Sequence, residues 1–458
     1  MKLPSTIFRE YDIRGTVGDQ LTVAAVHAIG RAVATLGWER LGRAPRLAVG
    51  RDNRPSGAEL AAGVIEGVVS GGGDAVDVGE LPTPALYFAT HVLDVDGGMQ
   101  VTGSHNPPEY NGIKIVLGGE AVYGADIQRL RRMIEEQRVR SGGGGKRTAN
   151  GSVLSQYRVA VVSRNAPIAR PVKVVVDCGN GVASLVAVET LRRLGAQVVP
   201  LFAESDGTFP NHHPDPTVVE NLRDLQAAVR REGAELGIAF DGDGDRIGAV
   251  DERGAIVFGD QLLVLLGRDL AKRMGPGHHV IFDVKCSEIL PKELERVGLR
   301  PIMWKTGHSL IKQKMKELRA PLAGEMSGHM FFGGDYFGFD DALFAAARLL
   351  HYVAREGGPL SRLLADLPVT VSTPELRVEC PDERKFAVVD RAARHFAAKY
   401  PVSTLDGVRI TFAEGWGLLR ASNTQPVLVL RFEAASAAAL AAYRAEVEGW
   451  LAEEGVGP

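Results

Sequence analysis

RLAVGRDNR, residues 46–54, is an apolar strand that ends in a polar loop, and the same pattern returns in VKVVVDCGNG (172–181) and HVIFDVKCS (279–287). A helical pattern follows each of these stretches, and a second strand and loop then complete each unit. Because α/β sheets bind ligands at the carboxyl ends of their strands, the loops of such units can meet in one place. We therefore expect an α/β protein with three successive similar domains of mixed sheets around a central cleft.

The last part of the chain has a different pattern. LRVEC, VRITF and VLVLRFE are strand-like, and a helical stretch follows them, which predicts a smaller C-terminal α+β domain. The predicted domains are residues 1–150, 151–253, 254–367 and 368–458. The glycine-rich run SGGGGKRTANGS (141–152) is interpreted as a linker or loop tip, because its GGGGK lacks the first glycine of a nucleotide-binding P-loop.

Length and composition restrict the class of protein. At 458 residues, 45% of them hydrophobic and 24% charged, the chain exceeds what one hydrophobic core usually supports. A net charge of -3 gives no support for nucleic acid or a membrane as a partner. Three scattered cysteines, with neither a signal-peptide pattern nor a membrane-spanning apolar run, favour a cytoplasmic location.

Alternating carboxylates distinguish the loop DGDGDR (241–246). Asp241, Asp243 and Asp245 are separated by glycines, so three hard oxygen ligands can surround one small cation such as Mg²⁺. A Ca²⁺ EF-hand fits less well, because Arg246 stands where that loop needs glycine and the flanking residues are strand-like. A solvated acidic turn is the other alternative, although carboxylates this close repel one another unless a cation compensates.

Ser104 lies in the run TGSHNPPEYNGIKI (102–115). It does not fit the G-x-S-x-G nucleophile elbow, because Asn106 takes the place of the second glycine. The Asn-Pro-Pro sequence predicts a rigid loop, and Ser104 alone is typical of a loop-forming serine. Together with the acidic loop, it is interpreted as a serine that carries phosphate beside a metal ion.

Two further loops offer polar groups. RASNTQP (420–426) joins the guanidinium of Arg420 to hydroxyl and amide groups, a set suited to phosphate, with an ordinary turn as the alternative. GEMSGH (324–329) offers a carboxylate, a hydroxyl and an imidazole, and His329 is either a catalytic group or a satisfied loop histidine. PNHHPDP (210–216) is interpreted as structural, since adjacent side chains in extended chain diverge.

These four motifs, together with FREYDIRG (8–15), resemble those of the α-D-phosphohexomutases in order and approximate spacing. The resemblance spans essentially the whole chain, and GEMSGH is most similar to the bacterial phosphomannomutase/phosphoglucomutase subgroup. It implies an enzyme that interconverts hexose 1-phosphate and hexose 6-phosphate, of glucose or mannose, through a phosphoserine and a hexose 1,6-bisphosphate intermediate, with Mg²⁺ as the cofactor.

The resemblance also implies roles for individual residues. The catalytic set is Ser104, His105, Lys114, Arg246 and His329. The metal ligands are Ser104, Asp241, Asp243 and Asp245. The substrate-binding set is Tyr11, Arg14, Lys285, His308, Glu325, Ser327, Arg420, Ser422, Asn423 and Thr424. We further expect the C-terminal domain to close over the substrate and exclude water.

Other functions share part of this pattern. A phosphoglucosamine mutase would use the same chemistry on another sugar, whereas a Mg²⁺-dependent sugar phosphatase would release inorganic phosphate. A non-catalytic sugar-phosphate sensor would be expected to have lost Ser104 or an aspartate, and this chain retains both. The expected partner is a small-molecule sugar phosphate; the motifs specify neither the sugar nor the oligomeric state.

Overall fold

The computed structural model describes residues 2–423 and 425–457, which form four sheets. The first domain contains β1 (Ile13–Thr16), α1 (Val23–Leu41), β2 (Arg46–Arg51), α2 (Gly57–Ser70), β3 (Asp74–Glu80), α3 (Thr83–Val92), β4 (Gly97–Val101), β5 (Tyr110–Leu117), β6 (Glu120–Ala121), α4 (Ala125–Glu135) and β7 (Arg147–Ala149). Its sheet has the order β1-β5-β4-β2-β3-β7, with β6 beside β5.

The run 141–152, interpreted from the sequence as a linker or loop tip, is partly a strand. β7 pairs in parallel with β3, and the amide of Ala75 donates to the carbonyl of Lys146 at 2.8 Å. Without β7, the outer edge of β3 would present unpaired backbone groups. The residues of β7 are all exposed, so the strand carries no apolar pattern that the sequence could have shown.

The second and third domains follow in turn. The second contains α5 (Val153–Ser163), β8 (Lys173–Asp177), α6 (Ala187–Arg193), β9 (Gln197–Leu201), α7 (Arg223–Glu232), β10 (Leu236–Phe240), β11 (Ile247–Asp251) and β12 (Ile256–Val257). The third contains α8 (Gly259–Met274), β13 (His279–Asp283), α9 (Ile289–Arg296), β14 (Arg300–Trp304), α10 (His308–Leu318), β15 (Leu322–Gly324), β16 (Met330–Phe332), α11 (Ala342–Glu356) and α12 (Leu360–Leu363). Short 3-10 helices lie at Ser5–Ile7, Val182–Leu185 and Val219–Leu222.

These three domains repeat one topology, as the sequence predicts. Their sheets share a run of three parallel strands followed by one antiparallel strand: β3-β2-β4-β5, β9-β8-β10-β11 and β14-β13-β15-β16. Each antiparallel strand begins after a loop at the carboxyl end of a parallel strand. The second sheet also includes β12, so it extends beyond the predicted boundary at residue 253.

The C-terminal domain is smaller and its sheet is antiparallel. It contains β17 (Val371–Ser372), β18 (Leu376–Glu379), α13 (Asp382–Ala397), β19 (Val402–Ser403), β20 (Val408–Phe412), β21 (Gly415–Ala421), β22 (Val427–Ala434) and α14 (Ala437–Glu453). The sheet has the order β17-β22-β21-β20-β19, and β18 also pairs with β22. Both helices contribute to one core with the sheet, in which Phe396, Phe432 and Trp450 are buried. The predicted α+β domain is confirmed.

The first three domains share a hydrophobic core, whereas the fourth has a core of its own. Phe88 of α3 packs against Tyr157 of α5, with ring centroids 5.9 Å apart, and the Tyr157 hydroxyl donates to Asp341 at the start of α11. The fourth domain meets the third through a small cluster that includes Val284 and Trp416. The fourth domain is therefore the one with least apolar contact to hold it in place.

In the part of the chain that the structure describes, no helix is both long enough and apolar enough to cross a lipid bilayer.

Candidate active site

Three loops that carry the sequence motifs occupy equivalent positions in the three α/β domains. Residues 102–109 join β4 to β5, residues 241–246 join β10 to β11, and residues 325–329 join β15 to β16. Each loop follows the carboxyl end of a parallel strand, where α/β sheets bind ligands. Side chains of the three loops are in contact, Ser104 with Asp241 and Asp245 with His329.

The three carboxylates of the acidic loop are completely buried. Asp241, Asp243 and Asp245 are each 0% exposed, and one oxygen from each lies within 4.8 Å of the others. Strands β10 and β11 flank the loop, which excludes the helices of an EF-hand. Among the described residues, Asp243 Oδ1 makes no hydrogen bond, and Asp245 Oδ1 has only its ion-pair contact with His329. Three buried carboxylates with unsatisfied oxygens suit a small divalent cation such as Mg²⁺.

Ser104 faces this loop from the first domain. Its Oγ lies 3.2 Å from Asp241 Oδ2 and 3.1 Å from His105 Nδ1, and the residue is 2% exposed. Ser104 has a φ of 50°, which is unusual for a residue with a side chain. A side chain at Gly242 would come within 2.4 Å of the Ser104 carbonyl oxygen. The glycine spacing of the acidic loop thus permits the close approach of the two loops.

Arg54 and Asp52, which the sequence analysis did not select, hold the serine loop in place. The guanidinium of Arg54 donates to the carbonyls of Ser104, Asn106, Pro107 and Tyr110 at 2.6–2.9 Å. Asp52 Oδ2 accepts from Arg54 Nε at 3.1 Å, from Thr102 Oγ1 at 2.7 Å and from Gly103 N at 3.2 Å. Both residues follow β2 in the stretch RLAVGRDNR, but only the fold brings them to this loop.

Lys114, on β5, bridges two of the aspartates. Its Nζ lies 2.8 Å from Asp243 Oδ2 and 2.5 Å from Asp245 Oδ2. Burial alone would lower the pKa of this ammonium, but Asp243 and Asp245 outweigh burial and hold it well above its usual range. Thr83, a third residue that the sequence did not indicate, donates to Asp243 Oδ2 at 2.6 Å. The positive charge of Lys114 partly compensates the acidic loop.

His329 lies between two carboxylates. Its Nδ1 is 2.9 Å from Glu325 Oε2, and its Nε2 is 3.3 Å from Asp245 Oδ1. Burial lowers its pKa, but Asp245, with a smaller contribution from Glu325, raises it to about 9. His329 Nε2 also lies 3.2 Å from Arg246 Nε. Because the raised pKa puts a proton on each ring nitrogen, we interpret this as a contact between two donors, with His329 donating to the carboxylates.

Two other histidines of the predicted site are held neutral. Burial, and then the nearby Arg246 and Arg14, keep the pKa of His105 well below its usual range. Burial, and then Lys312, do the same for His308. The His308 ring stacks on His329 with centroids 5.8 Å apart. Neutral and charged imidazoles therefore lie side by side near Ser104.

In the RASNT motif, Arg420 lies at the end of β21, and Asn423, beyond that strand, reaches Tyr11 near the N-terminus. Asn423 Nδ2 donates to the Tyr11 hydroxyl at 2.9 Å, and Arg420 Nε donates to Asp406 at 3.2 Å. Lys385 Nζ donates to the carbonyl oxygen of Gln425 at 3.0 Å and also to that of Ser422. These two hydrogen bonds hold the backbone on both sides of the turn. Thr424 lies outside the described residues.

The remaining predicted substrate-binding residues lie near the same groups. Lys285 Nζ is 3.1 Å from Glu375 Oε2, and Arg14 Nη1 donates to Asn106 at 2.7 Å. Ser327 Oγ lies 3.2 Å from His329 Nδ1. The attraction of Lys285 holds the pKa of Glu375 at about 2 against the effect of burial. The positive groups predicted to bind phosphate are thus already paired with carboxylates of the C-terminal part, Glu375 and Asp406, which the sequence analysis did not select.

PNHHPDP lies beside the acidic loop without joining its carboxylates. His212 Nε2 is 3.0 Å from Asp177 Oδ2, and the amide of Gly242 donates to the carbonyl of Pro214 at 3.1 Å. These contacts fit the structural interpretation of the segment. Cys178, Cys286 and Cys380 are buried and unpaired.

Comparison with known proteins identifies the same four units. Family models described as phosphoglucomutase/phosphomannomutase alpha/beta/alpha domains I, II and III match residues 5–140, 155–254 and 258–371. The model of the C-terminal domain of that family matches residues 375–449. Together these matches cover most of the chain.

Individual relatives agree over nearly the full length. A protein of Pseudomonas aeruginosa named phosphomannomutase/phosphoglucomutase is 50% identical over 434 residues, 94% of this chain and 92% of the relative. A phosphoglucomutase of Neisseria meningitidis is 44% identical over 437 residues, 95% of this chain and 94% of the relative. The crystal structure of a Burkholderia thailandensis protein of the phosphoglucomutase/phosphomannomutase family superposes with a TM-score of 0.91 at 44% identity, covering 98% of this chain and 97% of that one. The chain belongs to the phosphoglucomutase/phosphomannomutase family.

Proposed function

We propose that this protein is a phosphohexomutase that interconverts hexose 1-phosphate and hexose 6-phosphate, with glucose or mannose as the sugar. The observation that carries the proposal is the approach of Ser104 Oγ to Asp241 Oδ2, at 3.2 Å, inside a buried acidic cage. The names of relatives with 50% and 44% identity over nearly the whole chain support it.

Ser104 is the residue proposed to carry the phosphoryl group. Asp241, Asp243 and Asp245, with an oxygen of phosphorylated Ser104, would hold Mg²⁺. A bound Mg²⁺ would supply positive charge that stabilises charge developing on the phosphoryl oxygens. The Arg54 guanidinium positions the serine through its four bonds to the loop backbone.

Transfer begins when the sugar O6 of a hexose 1-phosphate attacks the phosphorus. The new O6–P bond forms, the bond between phosphorus and Ser104 Oγ breaks, and the hydroxyl proton passes to a group of the site. His105, Lys114 and His329 lie around Ser104 and the acidic loop and are the proposed proton-handling and charge-stabilising groups, while Arg246 donates to phosphoryl oxygens.

The product of this step is a hexose 1,6-bisphosphate, which must turn over within the cleft. Its O1 phosphate then returns to Ser104, leaving hexose 6-phosphate and a phosphorylated enzyme. The loop of Arg420, Ser422 and Asn423, with Lys285, is proposed to grip the phosphate that is not reacting. Glu325 and Ser327 are proposed to bind the sugar hydroxyls, which the substrate presents in either orientation.

The free, buried state of all three cysteines fits a reducing compartment, and we place the enzyme in the cytoplasm.

Replacement of the serine tests the proposal. We expect intact-mass measurement to find one phosphate on the protein with the wild-type sequence and none on Ser104→Ala. The Ser104→Ala variant should also lose nearly all turnover of glucose 1-phosphate. Ser155→Ala, on the exposed face of α5, is the matched control and should behave like the unmodified protein. Full activity of Ser104→Ala would overturn the phosphoserine assignment.

Two further assays separate the alternatives. Release of inorganic phosphate from glucose 1-phosphate, in place of isomerisation, would identify a phosphatase. Comparison of turnover on the 1-phosphates of glucose, mannose and glucosamine determines the sugar, and we expect glucosamine 1-phosphate to be the poorest of the three.

A further inference from the structure

A cavity of about 540 Å³ lies between the first and third domains. Helices α3 and α10, the β5–β6 hairpin and the loop at residues 333–339 enclose it. Its size lies within the range of about 300–1,000 Å³ that is typical of small-molecule sites. None of the residues assigned above to the metal, the sugar or the phosphate lines this cavity.

One wall of the cavity is aromatic. His91 and Phe337 have ring centroids 4.9 Å apart at an interplanar angle of 31°, and Phe337 is parallel to Phe339 within 4° at 5.8 Å. Tyr87 and Tyr336 extend the same wall. Burial lowers the pKa of His91, so its ring is neutral near pH 7. Flat apolar faces of this kind favour a planar aromatic ligand by stacking.

The rest of the lining is basic. Lys312, Lys316 and Arg319 line the cavity, with Glu120 as the one carboxylate among the lining residues. Lys312 Nζ lies 4.2 Å from the centroid of the Tyr87 ring, so its charge is at the aromatic wall. Lys312 is paired with Asp340 and Lys316 with Glu120, so Arg319 accounts for the net positive charge of this region, which would attract an anion.

A polar group in the lining has no protein partner. Ser309 is 1% exposed, and within residues 2–423 and 425–457 its Oγ makes no hydrogen bond. Buried hydroxyls are normally satisfied. Because this Oγ has almost no accessible surface, the side chain would have to rotate toward the cavity before a ligand there could supply the missing partner.

Two pairs of side chains that line the cavity are exposed to solvent. Lys316 Nζ lies 2.8 Å from Glu120 Oε1, with 70% and 66% of the two side chains exposed, and Tyr123 donates to Gln313. Exposed ion pairs contribute roughly 0–1 kcal/mol each. These pairs would therefore separate readily to admit a ligand.

From the stacked wall, the basic rim and the unsatisfied hydroxyl, we propose that this cavity binds a planar aromatic anion at a site distinct from the sugar-phosphate cleft. The ion pair of Lys312 with Asp340, at 2.9 Å, lies between the two sites. His308 Nδ1, on the side of the cleft, lies 3.8 Å from the same carboxylate. A ligand anion at Lys312 would compete for its charge, so the site is placed to influence the cleft.

Fluorescence titration with 8-anilinonaphthalene-1-sulfonate, an aromatic anion with a planar naphthalene ring system, tests the proposal on the full chain. We expect one site per chain, which remains occupied at saturating glucose 1-phosphate. The double variant Lys316→Glu/Arg319→Glu should weaken binding by roughly tenfold or more, because two charges at the rim change sign. Ala121→Trp should weaken it as well by filling the cavity from β6 without a change of charge.

The matched control is Lys292→Glu/Arg300→Glu, which makes the same change of charge at exposed positions of the third domain outside the cavity. It should bind the dye like the unmodified protein. The proposal is overturned if the unmodified protein does not bind the dye, if either cavity variant binds it as the control does, or if glucose 1-phosphate displaces it. Displacement would assign the dye to the cleft and would leave the proposed mutase activity intact.

Discussion

The hydroxyl of Tyr11 accepts a 2.9 Å hydrogen bond from the side-chain amide of Asn423, which lies 412 residues further along the chain. The same hydroxyl donates to the carbonyl of Thr306 at 2.8 Å. Tyr11 therefore joins the first, third and fourth domains at one point of the cleft. Because the fourth domain shares little apolar surface with the others, we infer that polar contacts of this kind help to hold it in place.

Loss of the Tyr11 hydroxyl should weaken closure. We expect Tyr11→Phe to raise the KM for glucose 1-phosphate by roughly fivefold, because about 1 kcal/mol of hydrogen bonding in the closed form is lost. Tyr400→Phe, which loses a hydroxyl bonded to Glu446 within the fourth domain, is the control and should leave KM unchanged. Equal KM values in the two variants would show that the Tyr11 contact does not hold the domain.

The buried Arg54 provides a second test, because a lysine cannot reach the four carbonyls that its guanidinium binds. We expect Arg54→Lys to keep the charge next to Asp52 but to lower turnover by roughly tenfold to a hundredfold, since a misplacement of about 1 Å can cost that much. Arg51→Lys, whose side chain is 3.6 Å from Glu80 at a partly exposed position, should retain full turnover. Wild-type turnover in Arg54→Lys would contradict a positioning role.

The contrast between Ser104 and Arg54 shows what the sequence could predict. Ser104 and the aspartates lie in short sequence motifs in which the residue types suit the local backbone conformation. The φ of 50° at Ser104 and the glycines of the acidic loop are examples. Arg54 reaches residues 50 to 56 positions away, and nothing in its own neighbourhood indicates those partners. Its position after β2 was visible, but its function was not.

The same distinction applies to the fold. The three repeated strands were predictable because continuous burial on both faces makes them apolar, as in β8 and β13. β7 was not, since its three exposed residues serve only to complete an edge. The roles of Asp406 and Glu375 could likewise not be predicted from the sequence. Their ion pairs with Arg420 and Lys285 depend on the tertiary packing of the third and fourth domains.

Lys114 forms ion pairs with Asp243 and Asp245, so we predict that its positive charge and that of a bound metal ion can partly replace each other in stabilising the protein. In the metal-free protein, Lys114→Met would remove the ammonium group that bridges two buried carboxylates, which is strongly destabilising. We expect this variant to melt several degrees lower in EDTA, and Mg²⁺ to raise its melting temperature by more than it raises that of the unmodified protein. Lys272→Met, at an exposed pair with Glu356, is the control. Equal Mg²⁺-induced shifts in all three proteins would contradict the compensation.

The buried Asp341 predicts a dependence of stability on pH. It accepts hydrogen bonds from Tyr157, Tyr336 and the amide of Phe344, but burial outweighs these bonds and raises its pKa from 3.8 to about 6. The folded chain therefore holds this proton more tightly than the unfolded chain, and the resulting stabilisation is complete below about pH 4 and lost as the pH rises to about 6, a change of roughly 3 kcal/mol.

Asp341→Asn removes this titration but keeps an oxygen that can cap α11. We expect the wild-type protein to lose stability relative to Asp341→Asn between pH 4 and pH 6, as measured by urea denaturation. Above pH 7 the difference in unfolding free energy between the two should be constant. Asp206→Asn, at an exposed loop carboxylate, controls for the loss of a negative charge. A difference that does not vary from pH 4 to pH 6 would mean that Asp341 stays ionised throughout, because its three donors then outweigh the cost of burial.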